Sequence, residues 1–386
     1  MALELERRLS LRDLPVLRRI LLLVFGTLLI LADLLPNVGF ESEALSFGIE
    51  LVMGVTFLTF ALRDRLDDRQ RASLRSGLMV MTVALVVATA GAEGATRWVF
   101  RHVTTSADSG SFFSRRWVNH VGFNRHGFRE RDFAIEKAQG AYRVAIIGDS
   151  LTFGNGLPAE KRYSDLMNAW LPDRFEVLNF AIPGDNTPQH LETLRSRVLP
   201  VRPDFVLLQW FVNDIEGDDL SRRPRPALLV PHPGLHRWLN RHSALYVIAN
   251  LRWAQIQIAL GWYPSYADYL KTRAGDPRSP DARRDAMQLR DIVGVARRHG
   301  IEIGIVLFPD TGASLDANYP YEFLHERVLG ICREEGLHCL DLRRDFARVK
   351  DRRALWVSPF DHHPSARANE MAAVRILEVF EKDWEK

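Results

Sequence analysis

Ser150 ends the stretch Arg143-Val144-Ala145-Ile146-Ile147-Gly148-Asp149-Ser150, where a short β-branched run breaks on a Gly-Asp turn. In open α/β sheets, ligands bind beyond the carboxyl ends of the strands, which is where such a turn places a hydroxyl. A serine nucleophile there needs a base, an acid to orient the base, and donors for the oxyanion. Downstream residues offer these parts in order. Gly184 follows a second strand-like run at 176–180, and Asn213 follows a third at 205–212. Asp361, His362 and His363 stand just before a terminal helical pattern. Singly, each has an ordinary explanation: a helix cap, a turn glycine, an Asx turn, a surface histidine before proline. Their order and context together point to acyl transfer.

Ser, Gly, Asn and His in this order, each just past a strand or just before a helix, resemble the four blocks of the SGNH (GDSL-type) hydrolase family. The resemblance spans about residues 119–384. It implies a flavodoxin-like fold, a Ser150–His363–Asp361 triad, and an oxyanion hole of the Ser150 and Gly184 N–H groups with the Asn213 amide. It calls for no cofactor and no metal. His363 is assigned as the base because it precedes Pro364, with His362 as the alternative. Two positions depart from the pattern. Phe211 stands where the third block usually has glycine, and the last block reads Asp-x-His-Pro where many members have Asp-x-x-His.

The elements needed to carry these blocks are legible as strands alternating with helices. Strands are expected at 143–147, 176–180, 205–212, 301–308 and 337–342, with helices at 164–171, 190–198, 283–299, 323–335 and at the terminus. That alternation predicts an α/β class chain: a three-layer α/β/α arrangement around a parallel five-stranded sheet. The interval 221–280 is too long for one connection. It is rich in Arg, Pro and aromatics (Trp238, Tyr246, Trp253, Trp262, Tyr263, Tyr266, Tyr269) and reads as a mostly helical insertion beside the active-site mouth. Its aromatics either stack sugars and touch lipid or, as is usual, pack the insertion.

The chain has 386 residues, a net charge of +3 and 26% charged residues, without the basic excess of a nucleic-acid binder. Three apolar segments, at 20–35, 44–62 and 78–92, fall in the first hundred residues. With flanks they give spans of about 16–35, 44–62 and 76–96, against the ~20 residues a bilayer requires. Arg7, Arg8, Arg12, Arg18 and Arg19 precede the first, and Arg63, Arg65, Arg69, Arg71 and Arg75 separate the second from the third. The 36–43 connection has neither Lys nor Arg. This alternation predicts a three-helix transmembrane anchor (1–100) in the cytoplasmic (inner) membrane with a cytoplasmic N-terminus. A linker (101–118) and an extracytoplasmic or periplasmic hydrolase domain (119–386) follow. Asp33, Glu50 and Glu93 are read as interfacial carboxylates, one of them paired with Arg97, rather than as a cluster for a membrane partner.

Cys332 and Cys339 read as two small core hydrophobes flanking a helix end and a Gly cap, a disulfide in an oxidising compartment being the alternative; with one histidine between them they do not make a metal site. The segment Asn124-x-x-Gly127-Phe128-Arg129 resembles one seen ahead of the serine block in membrane-attached family members. We read it as a turn against the sheet, the other reading being that Arg129 holds an anionic substrate group. The expected function is a serine esterase acting on O-acyl, chiefly O-acetyl, esters of cell-surface or exported carbohydrate. An O-acetyltransferase with the same triad, a lipid esterase, and a non-catalytic scaffold with a membrane partner in glycan export are the alternatives.

Overall fold

The computed structural model describes residues 67–105, 110–118, 121–217 and 223–384. They fall into two compact units. One holds helix α1 (Asp68–Val99), residues 110–112 and 226–260, the latter carrying α5 (Pro233–His242) and α6 (Ala244–Ala259). The other holds a five-stranded parallel sheet and its helices.

The sheet comprises β1 (Tyr142–Ile147), β2 (Phe175–Asn179), β3 (Phe205–Trp210), β4 (Glu302–Leu307) and β5 (Cys339–Asp341), in the order β2-β1-β3-β4-β5. All pairs are parallel, with Val144 opposite Val177 on one side and Phe205 on the other. The strands are buried on both faces, as continuous apolar runs such as Val144-Ala145-Ile146-Ile147 require. Strand order reverses at β1, so the crevice of a 2-1-3-4-5 sheet opens beyond the ends of β1 and β3. Ser150 and Asn213 follow those two strands.

Helices α3 (Tyr163–Trp170) and α10 (Ala366–Trp384) pack together, and α4 (Thr187–Thr193) packs on α8 (Pro280–Arg298), which also meets α9 (Glu322–Glu335). Gly304 in β4 lets α10 approach the sheet: a Cβ there would lie 2.3 Å from Phe380 Cε1, and the Phe380 ring sits 5.8 Å from Phe205. The expected strands and helices thus correspond to observed ones. The sequence expectation for the cysteines needs correction, because Cys332 and Cys339 form a disulfide. Gly336 ends α9 in the left-handed region (φ 62°), and the reversal brings the two Cα atoms to 6.3 Å, within bridging range.

The 221–280 interval divides. Its helices α5 and α6 belong with α1, whereas α7 (Tyr266–Ala274) belongs with the sheet. Tyr246 and Tyr269 are buried, Tyr246 with a 2.7 Å hydrogen bond to His236, so packing accounts for them. Within α1, Met79–Val99 is long and apolar enough to cross a membrane. The expected spans at 16–35 and 44–62 lie outside the described residues. Glu93 pairs with Arg97 (2.6 Å) and also caps α6. Its carboxylate accepts from Ser243 Oγ (2.8 Å) and from the N–H groups of Ala244 and Leu245 (both 2.9 Å), donors that a helix start leaves unsatisfied.

Candidate active site

The turn after β1 is built by close approach. A Cβ on Gly148 would lie 2.4 Å from Thr152 Oγ1 and 2.5 Å from Gln209 Oε1, so the position demands glycine. Gln209, fully buried in β3, accepts from the Asp149 N–H (3.0 Å) and from Thr152 Oγ1 (2.8 Å), pinning the turn to the sheet. Asp149 then caps the short helix α2 (Ser150–Phe153), accepting from Leu151 N at 2.9 Å. The Ser150 N–H, at the first helical position, has no acceptor within the helix.

Ser150 Oγ lies 2.9 Å from His363 Nε2. His363 sits on β7 (Asp361–Pro364), which pairs with β6 (Trp356–Ser358) in a small antiparallel ladder. The other ring nitrogen, Nδ1, donates to Asp361 Oδ1, which also accepts the His363 backbone N–H at 3.1 Å. This fixes the tautomer: Nδ1 carries the proton and Nε2 is left to accept from the serine. Asp361 is buried, and its second oxygen accepts from Thr105 Oγ1 at 3.0 Å. Burial alone would lower the affinity of His363 for a proton. The bond to Asp361 and its charge outweigh that, holding the imidazole above its ordinary 6.5. His362 faces away from this arrangement. Its ring packs on Trp356 at 4.3 Å, and burial lowers its pKa.

Asn213 lies in the 3₁₀ turn Val212–Glu216 after β3. Its Nδ2 donates to Asp149 Oδ2 at 3.1 Å, which sets the amide orientation and leaves one N–H to spare. Phe211 does not disturb this turn. Its backbone is extended (φ −137°, ψ 163°), a conformation open to any residue, and its N–H bonds Asp214 Oδ2 at 2.7 Å. Asp214 is held from below by the buried His190, 3.0 Å away. Gly184 occupies a left-handed turn position (φ 88°) that glycine adopts without strain, with no atom near where a Cβ would stand. Its loop is tied to the serine turn by the Ile182 N–H to the Gly148 carbonyl (3.1 Å).

The structure therefore brings Ser150, His363 and Asp361 into one hydrogen-bonded line, and places Asn213 beside it through Asp149. Thr105 was not foreseen, because it falls in the stretch read as a linker. His190 and Gln209 carry no motif and reveal their contacts only once the sheet forms. Arg129 takes the structural option: it donates to the carbonyls of Phe153 (2.9 Å), Gly154 (2.8 Å) and Leu157.

Such a line matches acyl transfer to a serine and deacylation by the same histidine. Among solved structures the chain is similar to a member of the lipolytic G-D-S-L family from Veillonella parvula, at 14% identity over 63% of this chain and 100% of that one, TM-score 0.39. It is also similar to a lipase/acylhydrolase from Enterococcus faecalis, at 13% identity over 63% and 96%, TM-score 0.39. A third is the acetyl xylan esterase AlAXEase, at 15% identity over 61% and 98%, TM-score 0.39. No curated protein matches the sequence significantly. The family model for GDSL-like lipases and acylhydrolases matches residues 146–371, more than half of the chain. Because that match runs from the strand that delivers Ser150 through the His363 block into the terminal helix, the chain belongs to the GDSL-like lipase/acylhydrolase family and is an ester-cleaving enzyme.

Proposed function

We propose that this enzyme removes O-acyl groups, chiefly O-acetyl, from cell-surface or exported carbohydrate while anchored in the inner membrane. The observation that carries the chemistry is the 2.9 Å contact from Ser150 Oγ to His363 Nε2, with the other ring nitrogen held by Asp361. His363 takes the Ser150 proton as the oxygen attacks the ester carbonyl, and Asp361 stabilises the imidazolium. The oxyanion meets the Ser150 and Gly184 N–H groups and the spare N–H of Asn213, in an arrangement where each such donor is worth roughly 3–4 kcal/mol. His363 then returns the proton to the leaving sugar oxygen, the bond from the carbonyl carbon to that oxygen breaks, and water repeats the sequence on the acyl-serine.

The substrate class rests on placement. Met79–Val99 supports a membrane anchor, and the arginine-rich flanks against the arginine-free 36–43 connection support three spans with the catalytic unit outside. Ester-bearing glycans are accessible on that side. The test is a panel of acetylated glycans given to the full-length protein, with and without an acceptor sugar, following free acetate and acetylated acceptor. The expected result is acetate release without acceptor. Product only when acceptor is present replaces hydrolysis by transfer, and turnover of phospholipid alone replaces carbohydrate by lipid.

A further inference from the structure

The 121–132 segment builds a cleft that the acyl-transfer chemistry above does not use. Asn124 closes the segment into a tight turn. Its Oδ1 accepts the N–H groups of His126 (2.9 Å) and Phe128 (3.0 Å), its Nδ2 donates to the Arg131 carbonyl (3.1 Å), and Gly127 supplies a φ of 84°. Arg129, clamped on the carbonyls of 153, 154 and 157, fastens this turn to the loop that follows the serine helix. Between turn and loop lies a cavity of about 910 Å³, within the range of small-molecule sites (~300–1,000 Å³).

The lining combines two aromatic rings with a charged rim. Trp117 and Phe123 each lie 6.1 Å from the Phe153 ring, and Phe123 is 62% exposed. Exposure of one ring is unremarkable by itself. Here the ring lines a cavity together with a second aromatic whose buried indole N–H has no acceptor among the described residues. The deeper charges are already engaged. Glu130 accepts from Arg131 N (2.8 Å) and Asn179 N (3.1 Å), and Arg162 pairs with Asp165 (2.7 Å). At the rim stand Arg131, Asp132 and Glu160, with the Arg125 guanidinium 4.0 Å from Asp132, so the cations and carboxylates there balance and no ionic ligand is favoured. Aromatic faces with mixed polar groups suit a neutral, hydroxyl-rich ligand.

The cleft is also connected to the reacting groups through two short stretches of chain. Phe153 closes the helix that Ser150 opens, and Thr104 lines the cleft next to Thr105, the residue that holds Asp361. We propose that this cleft is an accessory subsite for a neutral oligosaccharide, which stacks sugar rings on Phe123 and Trp117 while an acyl group elsewhere on the same glycan reaches Ser150. The source of the ligand rests on the carbohydrate-ester reading, but binding does not depend on turnover.

The experiment titrates the full-length protein, in lipid discs free of sugar detergent, with xylohexaose, mannohexaose and cellohexaose, following tryptophan fluorescence. The parallel readout is hydrolysis of p-nitrophenyl acetate, an ester too small to reach the cleft. At least one hexaose is expected to bind saturably, and Phe123→Ala to weaken it about tenfold or more with p-nitrophenyl acetate hydrolysis unchanged. Trp117→Phe is expected to abolish the fluorescence response. Wild-type protein that binds none of the three, or Phe123→Ala protein that binds as tightly as wild type, overturns the proposal. If binding behaves as expected but acetylated forms of the bound glycan are not deacetylated while p-nitrophenyl acetate is, the cleft stands and the substrate reading falls.

Discussion

The proposed oxyanion role of Asn213 rests on its hydrogen bond to Asp149. One Asn213 N–H is held by Asp149 at 3.1 Å, so the other is available to an oxyanion. Asn213→Ala is expected to lower kcat ~100-fold or more with little change in KM, the pattern of a donor engaged in the transition state. A rise in KM with kcat unchanged would assign the amide to substrate binding instead. Asp149 is destabilising in its ionised form: burial, with the Asp214 charge adding, pushes it from 3.8 up to about 6. An acid whose folded pKa exceeds its unfolded one destabilises the fold once ionised. The penalty is absent below about pH 4, grows as pH rises to about 6, and approaches roughly 3 kcal/mol above that. Asp149→Asn is therefore expected to raise the Tm at pH 8 and to leave it nearly unchanged at pH 4. Turnover falls, because the new amide N–H opposes that of Asn213. A lower Tm at pH 8 would contradict this account of the buried carboxylate.

At the scale of elements, much of the fold was legible because each strand is a short apolar run closed by a turn residue. The first strand ends at Ile147 as the pattern places it, whereas the second ends at Asn179 and the third at Trp210, one and two residues earlier than expected, the apolar Val212 belonging to the following turn. The four blocks of the site were legible for the same reason, since they sit at strand ends and before a terminal helix. Contacts between distant elements were not. Thr105 donates across 256 positions to Asp361, and nothing local to a polar stretch marks that pairing. The disulfide was the less favoured reading because the spacing of Cys332 and Cys339 also fits two core thiols, and the Gly336 reversal brings them together. Phe211 departs from the family pattern by placing a bulky ring beside Asn213, yet its backbone is extended and the turn that carries Asn213 forms after it. Packing of α10 on the sheet has its own test. Gly304→Ala drives a methyl toward the fully buried Phe380 and is expected to destabilise the enzyme by ~1–3 kcal/mol, with Phe380→Leu restoring part of the loss. A neutral Gly304→Ala in thermal denaturation would show that α10 sits further from β4.

For the whole molecule, the proposed anchor would determine which esters the serine meets. The arginine distribution predicts that a reporter fused after residue 386 behaves as exported, and that protease added to spheroplasts degrades the catalytic unit. A protected C-terminus would reverse the topology and remove the argument for extracellular glycans, leaving the catalytic line untouched. That line is the central claim, and trapping the nucleophile tests it most directly. The full-length enzyme is treated with a fluorophosphonate and its modified peptide mapped by mass spectrometry. One adduct is expected, on Ser150, absent in Ser150→Ala, severely slowed in His363→Ala, and formed readily in His362→Ala. An unmodified wild-type enzyme, an adduct on another residue, or rapid labelling of His363→Ala with none of His362→Ala would contradict it.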